Sequence, residues 1–171
     1  MRNRAIVRAC AAITVVGVIG ALNTQGVAAA TATANLTVSA TVTNNCTIST
    51  AALAFGTYDP VVANTSSNLD GTGRVTIACT KGSTATIGLG TGSNGSGSAR
   101  RLSDGSGNYL SYELFSDSGR AAVWNTGSGL LSPTAAASKT ARDFTVYGRI
   151  SGNQDVPSGS YSDTVVATVN F

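Results

Sequence analysis

From Ala32 to Val42 the chain alternates without a break. Ala32, Ala34, Leu36, Val38, Ala40 and Val42 hold one parity, and Thr, Asn and Ser hold the other. Successive side chains of a strand point to opposite faces, so this stretch predicts a ribbon with one apolar and one polar face. It is longer than the ~5–6 residues of a mean strand, and Cys46 and Ile48 keep its parity. Shorter alternating runs follow: Leu53 with Phe55, Val75–Ile77–Cys79, Ile87 with Leu89, and Leu110–Tyr112–Leu114 with Phe115 on the other face. Phe144, Val146 and Ile150 predict another strand, and Tyr161, Val165, Ala167, Val169 and Phe171 predict the last. The segments between them are rich in turn residues: Asn68–Gly73, Gly90–Ser98, Ser103–Asn108 and Gly152–Gly159. The Gly/Ser run at 90–98 reads as a hairpin loop. No window sustains a 3.6-residue apolar period. The pattern predicts one all-β domain of six or seven strands, arranged as a sandwich.

The first thirty residues read differently. Arg2, Arg4 and Arg8 make a basic start, Ala9–Leu22 is apolar, and Val27-Ala-Ala-Ala30 offers small residues for cleavage. This is the form of an export signal. The apolar run is interrupted at Asn23, Thr24 and Gln25, short of the ~20 residues of a membrane span, so no transmembrane anchor is expected. The three signal arginines account for the formal charge of +3. The remainder carries eight basic and eight acidic residues, a balance with no phosphate-binding stripe and hence no nucleic-acid partner. Charged residues are only 11% of the chain, and Thr, Val, Ser and Gly dominate, a composition that suits pleated surfaces and turns.

Beyond Cys10 in the signal, two cysteines remain, Cys46 and Cys79. In an exported protein such a pair predicts a disulfide. Closing that loop would contribute ~3–4 kcal/mol in the chain-entropy account. Catalytic chemistry is sparse. Histidine is absent, Glu113 is the lone glutamate, and most of the seven aspartates adjoin Gly, Ser or Asn in turn contexts. Asp104-Gly-Ser-Gly-Asn108 lacks the further oxygen ligands of a calcium loop and reads as a hairpin turn. Trp124, Tyr109 and Tyr112 are expected in or around the core and not on a carbohydrate platform. Arg100, Arg101 and Arg120 read as solvated turn charges. The expectation is a protein that is not an enzyme, with no cofactor and no metal.

Taken in order, several segments resemble the spore coat protein U domain of archaic chaperone–usher pilus subunits. They are Cys46-Thr-Ile48, Leu53-Ala-Phe55-Gly56-Thr-Tyr58, Val75-Thr-Ile77-Ala-Cys79 and Leu110-Ser-Tyr112-Glu-Leu114-Phe115. Trp124, Val146-Tyr-Gly-Arg-Ile150 and Gly159-Ser-Tyr161-Ser-Asp163-Thr-Val165 complete the set. Asn125 departs from the Gly that usually follows the Trp, which implies a locally different turn. The resemblance implies an incomplete immunoglobulin-like sandwich of six to seven antiparallel strands, completed by a donor strand. It implies a signal at 1–30, a donor segment at 31–43 and a pilin domain at 44–171. Ala34, Leu36, Val38, Ala40 and Val42 would be the donor side chains, with Val42 the last of them or the first of the chain's own strand. Val165, Ala167, Val169 and Phe171 would form the C-terminal strand beside the groove. The implied partners are a periplasmic pilus chaperone, an outer-membrane usher and neighbouring pilin subunits, in a fibre at the cell surface that supports attachment and biofilm.

Periodicity by itself leaves two alternatives open. Residues 32–42 fit equally the first strand of a complete sandwich, and the C-terminal run fits an ordinary closing strand. A secreted coat protein and a monomeric extracellular carbohydrate- or surface-binding domain are the rival functions. A type IV pilin's retained apolar helix and a sortase signal are not seen in the sequence.

Overall fold

Seven strands form where apolar residues alternate with Thr, Ser and Arg: β1 (Cys46–Ala51), β2 (Leu69–Cys79), β3 (Thr86–Leu89), β4 (Arg100–Ser103), β5 (Tyr109–Phe115), β6 (Arg142–Ile150) and β7 (Ala167–Asn170). The structure is a computed structural model, and it describes residue 26 and residues 28–171. Almost all of the predicted signal lies outside the described residues. The chain divides into two units, Met1–Ser39 and Ala40–Phe171. Among the described residues there is no helix, and hence none long and apolar enough to cross a membrane.

All pairings are antiparallel. Five strands make one sheet in the order β1-β2-β6-β5-β4, and β3 and β7 make a second. A bridge between Ile87 and Leu131 flanks β3 on its other side. The inward residues of both sheets meet in one core: Val75 and Ile77 of β2, Ile87 and Leu89 of β3, Leu110 and Leu114 of β5, and Val146 and Ile150 of β6. Trp124 is fully buried among them and donates its indole N–H to the Ile87 carbonyl at 2.8 Å, the partner a buried tryptophan needs. Tyr112 is likewise a core residue. Tyr109 stays exposed under the Arg101 guanidinium, 4.0 Å from the ring centroid.

The cysteine expectation holds. Cys46 and Cys79 are register partners on β1 and β2 and form a disulfide. The Asp104 loop is the β4–β5 turn, and its carboxylate accepts the N–H groups of Ser106 and Asn108. At the departure from the family pattern, the Asn125 side chain accepts from the N–H of Gly127 and Gly129, so an Asx-type turn stands where a Gly was expected.

Several expectations need correction. Asn68–Gly73 is not a turn, because β2 begins at Leu69. Its glycines face Leu53 and Phe55, which lie so close that a Cβ on Gly73 would sit 2.9 Å from the Leu53 Cβ. Glycine inside a strand here marks close approach, not a break. Gly90–Ser98 is not a hairpin loop, since β3 and β4 belong to different sheets and the segment crosses between them. The Leu53–Phe55 pair and the stretch from Tyr161 to Val166 carry no assigned strand. Ala28–Asn45 joins no ladder; alternation can prepare a strand, but only a partner backbone makes one.

Arg100 is the largest departure. It is a buried hub with 2% of its surface exposed, not a solvated charge. Its Nε donates to the Gly90 carbonyl at 2.9 Å, and its Nη2 donates to those of Leu89 (2.9 Å) and Trp124 (2.7 Å). Its Nη1 pairs with Glu113. Three carbonyls and one carboxylate satisfy a charge that would otherwise be costly to bury. Arg120 is also engaged, at 3.3 Å from the Asp70 carboxylate.

Candidate functional site: a groove along the open side of the sandwich

Among the described residues, backbone hydrogen bonds join the two sheets along one side. At that side Ser103 of β4 exchanges both backbone hydrogen bonds with Ser162, each 2.9 Å. Thr164 then accepts from Ser93 (3.0 Å) and Val166 from Gly90 (2.9 Å). The C-terminal segment thus passes from the edge of β4 onto β3, lacing the sheets together. On the other side β1 is the outermost strand of its sheet, and nothing pairs with its free edge among the described residues.

Between that edge and the C-terminal segment runs a groove of about 1210 Å³, above the ~300–1,000 Å³ of a small-molecule pocket. One wall is the chain from Thr50 to Tyr58, with Pro60 and Val61; the other is Asp155–Val165 with Ala167. The floor is core: Val75, Leu89, Leu102, Leu110, Tyr112, Leu114, Val146 and Ile150. Both walls lie mostly outside any strand. Backbone bonds run from Ser162 to β4 and from Thr164 and Val166 to the segment that follows β3. In extended chain the intervening residues aim their backbone groups the opposite way, so Tyr161, Asp163, Val165 and Ala167 present theirs to the groove side. Their side chains meanwhile pack toward the core, Asp163 excepted.

A polar contact crosses the groove floor. The Tyr112 hydroxyl on β5 donates to the Asp163 carboxylate on one wall at 2.7 Å. Its ring meets Phe55 of the other wall edge-on, with centroids 6.0 Å apart. Burial, with help from the Asp163 hydrogen bond, pushes the Tyr112 hydroxyl well above its ordinary value, so it stays a donor across the whole neutral range. Asp163 also accepts the backbone N–H of Asn94 at 3.0 Å and of Thr164 at 2.8 Å. Phe55, Tyr112 and Asp163 together set the spacing of the two walls.

Of the residues singled out in the sequence, Val165 and Ala167 line the groove. Val169 is half-buried on β7, and Phe171 at its end is 53% exposed. Ala34 and Ala40 are exposed, as are Leu36, Val38 and Val42 at 87%, 84% and 83%. Alternation did not identify Leu53, Phe55 and Tyr58 as a groove wall or Tyr112 as the strut across it. The glycines facing Leu53 and Phe55, at 71, 73 and 148, were the sequence signal for that wall. Among the described residues no three His, Cys, Asp or Glu side chains gather where a metal could bind.

An all-β body with one laced and one open side is the frame for comparison with known proteins. Residues 32–168 match the Spore Coat Protein U domain. The chain belongs to that family. It is 44% identical over 156 residues to Protein U of Myxococcus xanthus, across 84% of this chain and 87% of that protein. It is similar in fold to a chain of the chaperone–tip adhesion subunit pre-assembly complex CsuC–CsuE, from the archaic chaperone–usher Csu pili of Acinetobacter baumannii. There the TM-score is 0.56 at 22% identity, covering 77% of this chain and 41% of that one. The chain therefore spans less than half the length of that solved chain, and the likeness is one of fold. Spore Coat Protein U domain membership agrees with the all-β, disulfide-bonded body.

Proposed function

We propose that this chain is a structural subunit of a chaperone–usher surface fibre, joined to its neighbours by strand addition. The observation that carries the reading is the groove: an apolar floor between two walls that, among the described residues, join no ladder on the facing side. Such an edge is an aggregation hazard unless covered, and an added strand covers it with main-chain hydrogen bonds while its alternate side chains fill the floor. A periplasmic chaperone covers it first. At the outer-membrane usher, residues 31–43 of the next subunit take its place, with Ala34, Leu36, Val38, Ala40 and Val42 facing the groove. Each Leu or Val buried there stabilises the joint by ~1.5–3 kcal/mol, and each backbone bond adds ~0.5–1.5 kcal/mol. Val165 and Ala167 form the receiving edge. The fibre supports attachment and biofilm formation at the cell surface.

The test is assembly of the mature chain with residues 31–41 deleted or with Leu36→Asp and Val38→Asp. Fibres should be lost while the chaperone complex still forms. Fibres of normal yield from the deleted chain, or a stable chaperone-free monomer with its groove closed by its own residues, would overturn the reading. A coat protein would instead be found in the envelope of resting cells.

A further inference from the structure

The balanced charges of the body are unevenly distributed. Four ion pairs join Arg74 to Asp143, Arg100 to Glu113, and both Arg120 and Arg149 to Asp70. Apart from Asp117 in the turn after β5, the charges outside these pairs separate toward opposite ends. At the disulfide end, Lys81 follows the last residue of β2 by two positions and is exposed. The loop before β6 reaches the same end, because Ala136 exchanges backbone bonds with Gly82 and Ser83. That loop carries exposed Lys139, and Arg142 pairs in register with Ile77 nearby. Arg142 Nη1 donates to the Thr134 carbonyl at 2.7 Å, and its buried Nη2 has no acceptor.

The far end is acidic. Asp59 lies in a loop tied to Asn153 through Asn64, just beyond the last residue of β6. Asp104 occupies the β4–β5 turn at the same end, and exposed Asp155 follows at the groove wall. Arg101 also lies toward this end and offsets one charge, while Asp163, bonded to Tyr112, adds one.

We propose that these two ends are complementary docking faces for a second copy of this chain, the basic end around Lys81, Lys139 and Arg142 seating on the acidic end around Asp59, Asp104 and Asp155. The inference rests on the fibre reading above. Thr80 donates to the Asn45 carbonyl at 2.9 Å, so the segment preceding β1 leaves the body beside Lys81. The groove takes in only Thr50 and Ala51 of β1 and Ala167 of β7, and it continues to Asp155. A joint in which residues 31–43 of one copy fill the groove of the next therefore brings a basic end against an acidic one. Opposite charge on the two faces speeds encounter and sets head-to-tail polarity. It also favours copies of the same chain over a differently charged subunit.

The experiment is a charge swap in the purified mature subunit. One variant carries Lys81→Glu and Lys139→Glu; the other carries Asp104→Asn and Asp155→Lys, the Asn keeping the turn acceptor. Each variant alone should assemble about tenfold more slowly than the parent at low salt, within the range of steering effects. The difference should shrink at 0.5 M salt, where screening removes it. An equal mixture should regain the parent's rate and form fibres in which the two variants alternate, a rescue that misfolding of either cannot give. Parent-like rates and salt dependence in both variants, or no rescue on mixing, would overturn the proposal. If the 31–41 deletion still abolishes fibres, the fibre reading survives that failure; if the deletion assembles normally, the fibre reading itself falls.

Discussion

The two long sides of the body are built from similar material and end differently. On the laced side, Ser103 ties the C-terminal segment to β4, Ser93 and Gly90 tie it to the chain that follows β3, and Arg100 reaches across to the carbonyls of Leu89, Gly90 and Trp124. On the open side, β1 and the chain after it face Asp155–Val165 across a groove with a core floor. Both sides have alternating sequences and half-buried apolar residues. They differ in whether the backbone groups at the edge find partners within the chain. A sandwich is sealed by paired edges, not by apolar content alone.

Four perturbations bear on this contrast. Replacing Arg100 with Leu should unlace the closed side. It leaves three buried carbonyls and Glu113 without their partner and should lower unfolding free energy in denaturant titration by ~3–5 kcal/mol. Arg100→Lys should recover little, because one ammonium cannot serve a fork of acceptors. Removing the disulfide with Cys46→Ser and Cys79→Ser loosens the open-side edge strand. The expected loss is ~3–4 kcal/mol, read as the difference between oxidised parent and variant melts.

Gly73→Ala tests the groove wall. The new Cβ would meet the Leu53 Cβ and the Ala51 carbonyl, and overpacking of this kind costs ~1–3 kcal/mol. Gly148→Ala should be milder, since it meets only the ends of the Leu53 and Phe55 side chains, which can swing aside.

Tyr112→Phe removes the strut between floor and wall at a cost of ~0.5–1.5 kcal/mol. It also gives a pH signature. The folded chain holds the Tyr112 phenol protonated above its ordinary value, through burial and then the Asp163 bond. The unfolded chain ionises near pH 10. The contribution is therefore complete below about pH 10 and is lost as pH rises above it. The parent should lose stability in alkali more steeply than Tyr112→Phe, which keeps only the weaker contribution of Tyr161, whose hydroxyl is also shifted upward. Equal alkaline slopes would rule out this role for the strut.

Local alternation was a good guide where a strand has one wet face. It located β3, β5 and β6 and the lower half of β2 but ran β1 together with the unladdered stretch before it, and the two cysteines of the exported chain gave the disulfide. It failed where a residue's neighbour is distant in sequence. Leu69–Gly73 reads as a turn because Gly is a turn residue, and only the Leu53 and Phe55 side chains lying over it explain glycine in a strand. Arg100 reads as solvated because arginine usually is, and nothing local shows three carbonyls from β3 and the Trp124 loop converging on it. The Gly90–Ser98 run has the composition of a hairpin, but composition does not say which sheet the next strand enters.

Residue type and spacing were enough to read an all-β body with a disulfide, balanced charge and an alternating N-terminal segment, because each of these is a local or compositional property. The tertiary structure decided which edge is left open, which walls face the groove and which charges gather at each end. Those are properties of the pairing order β1-β2-β6-β5-β4 and β3-β7, and pairing order is set by contacts between residues far apart along the chain.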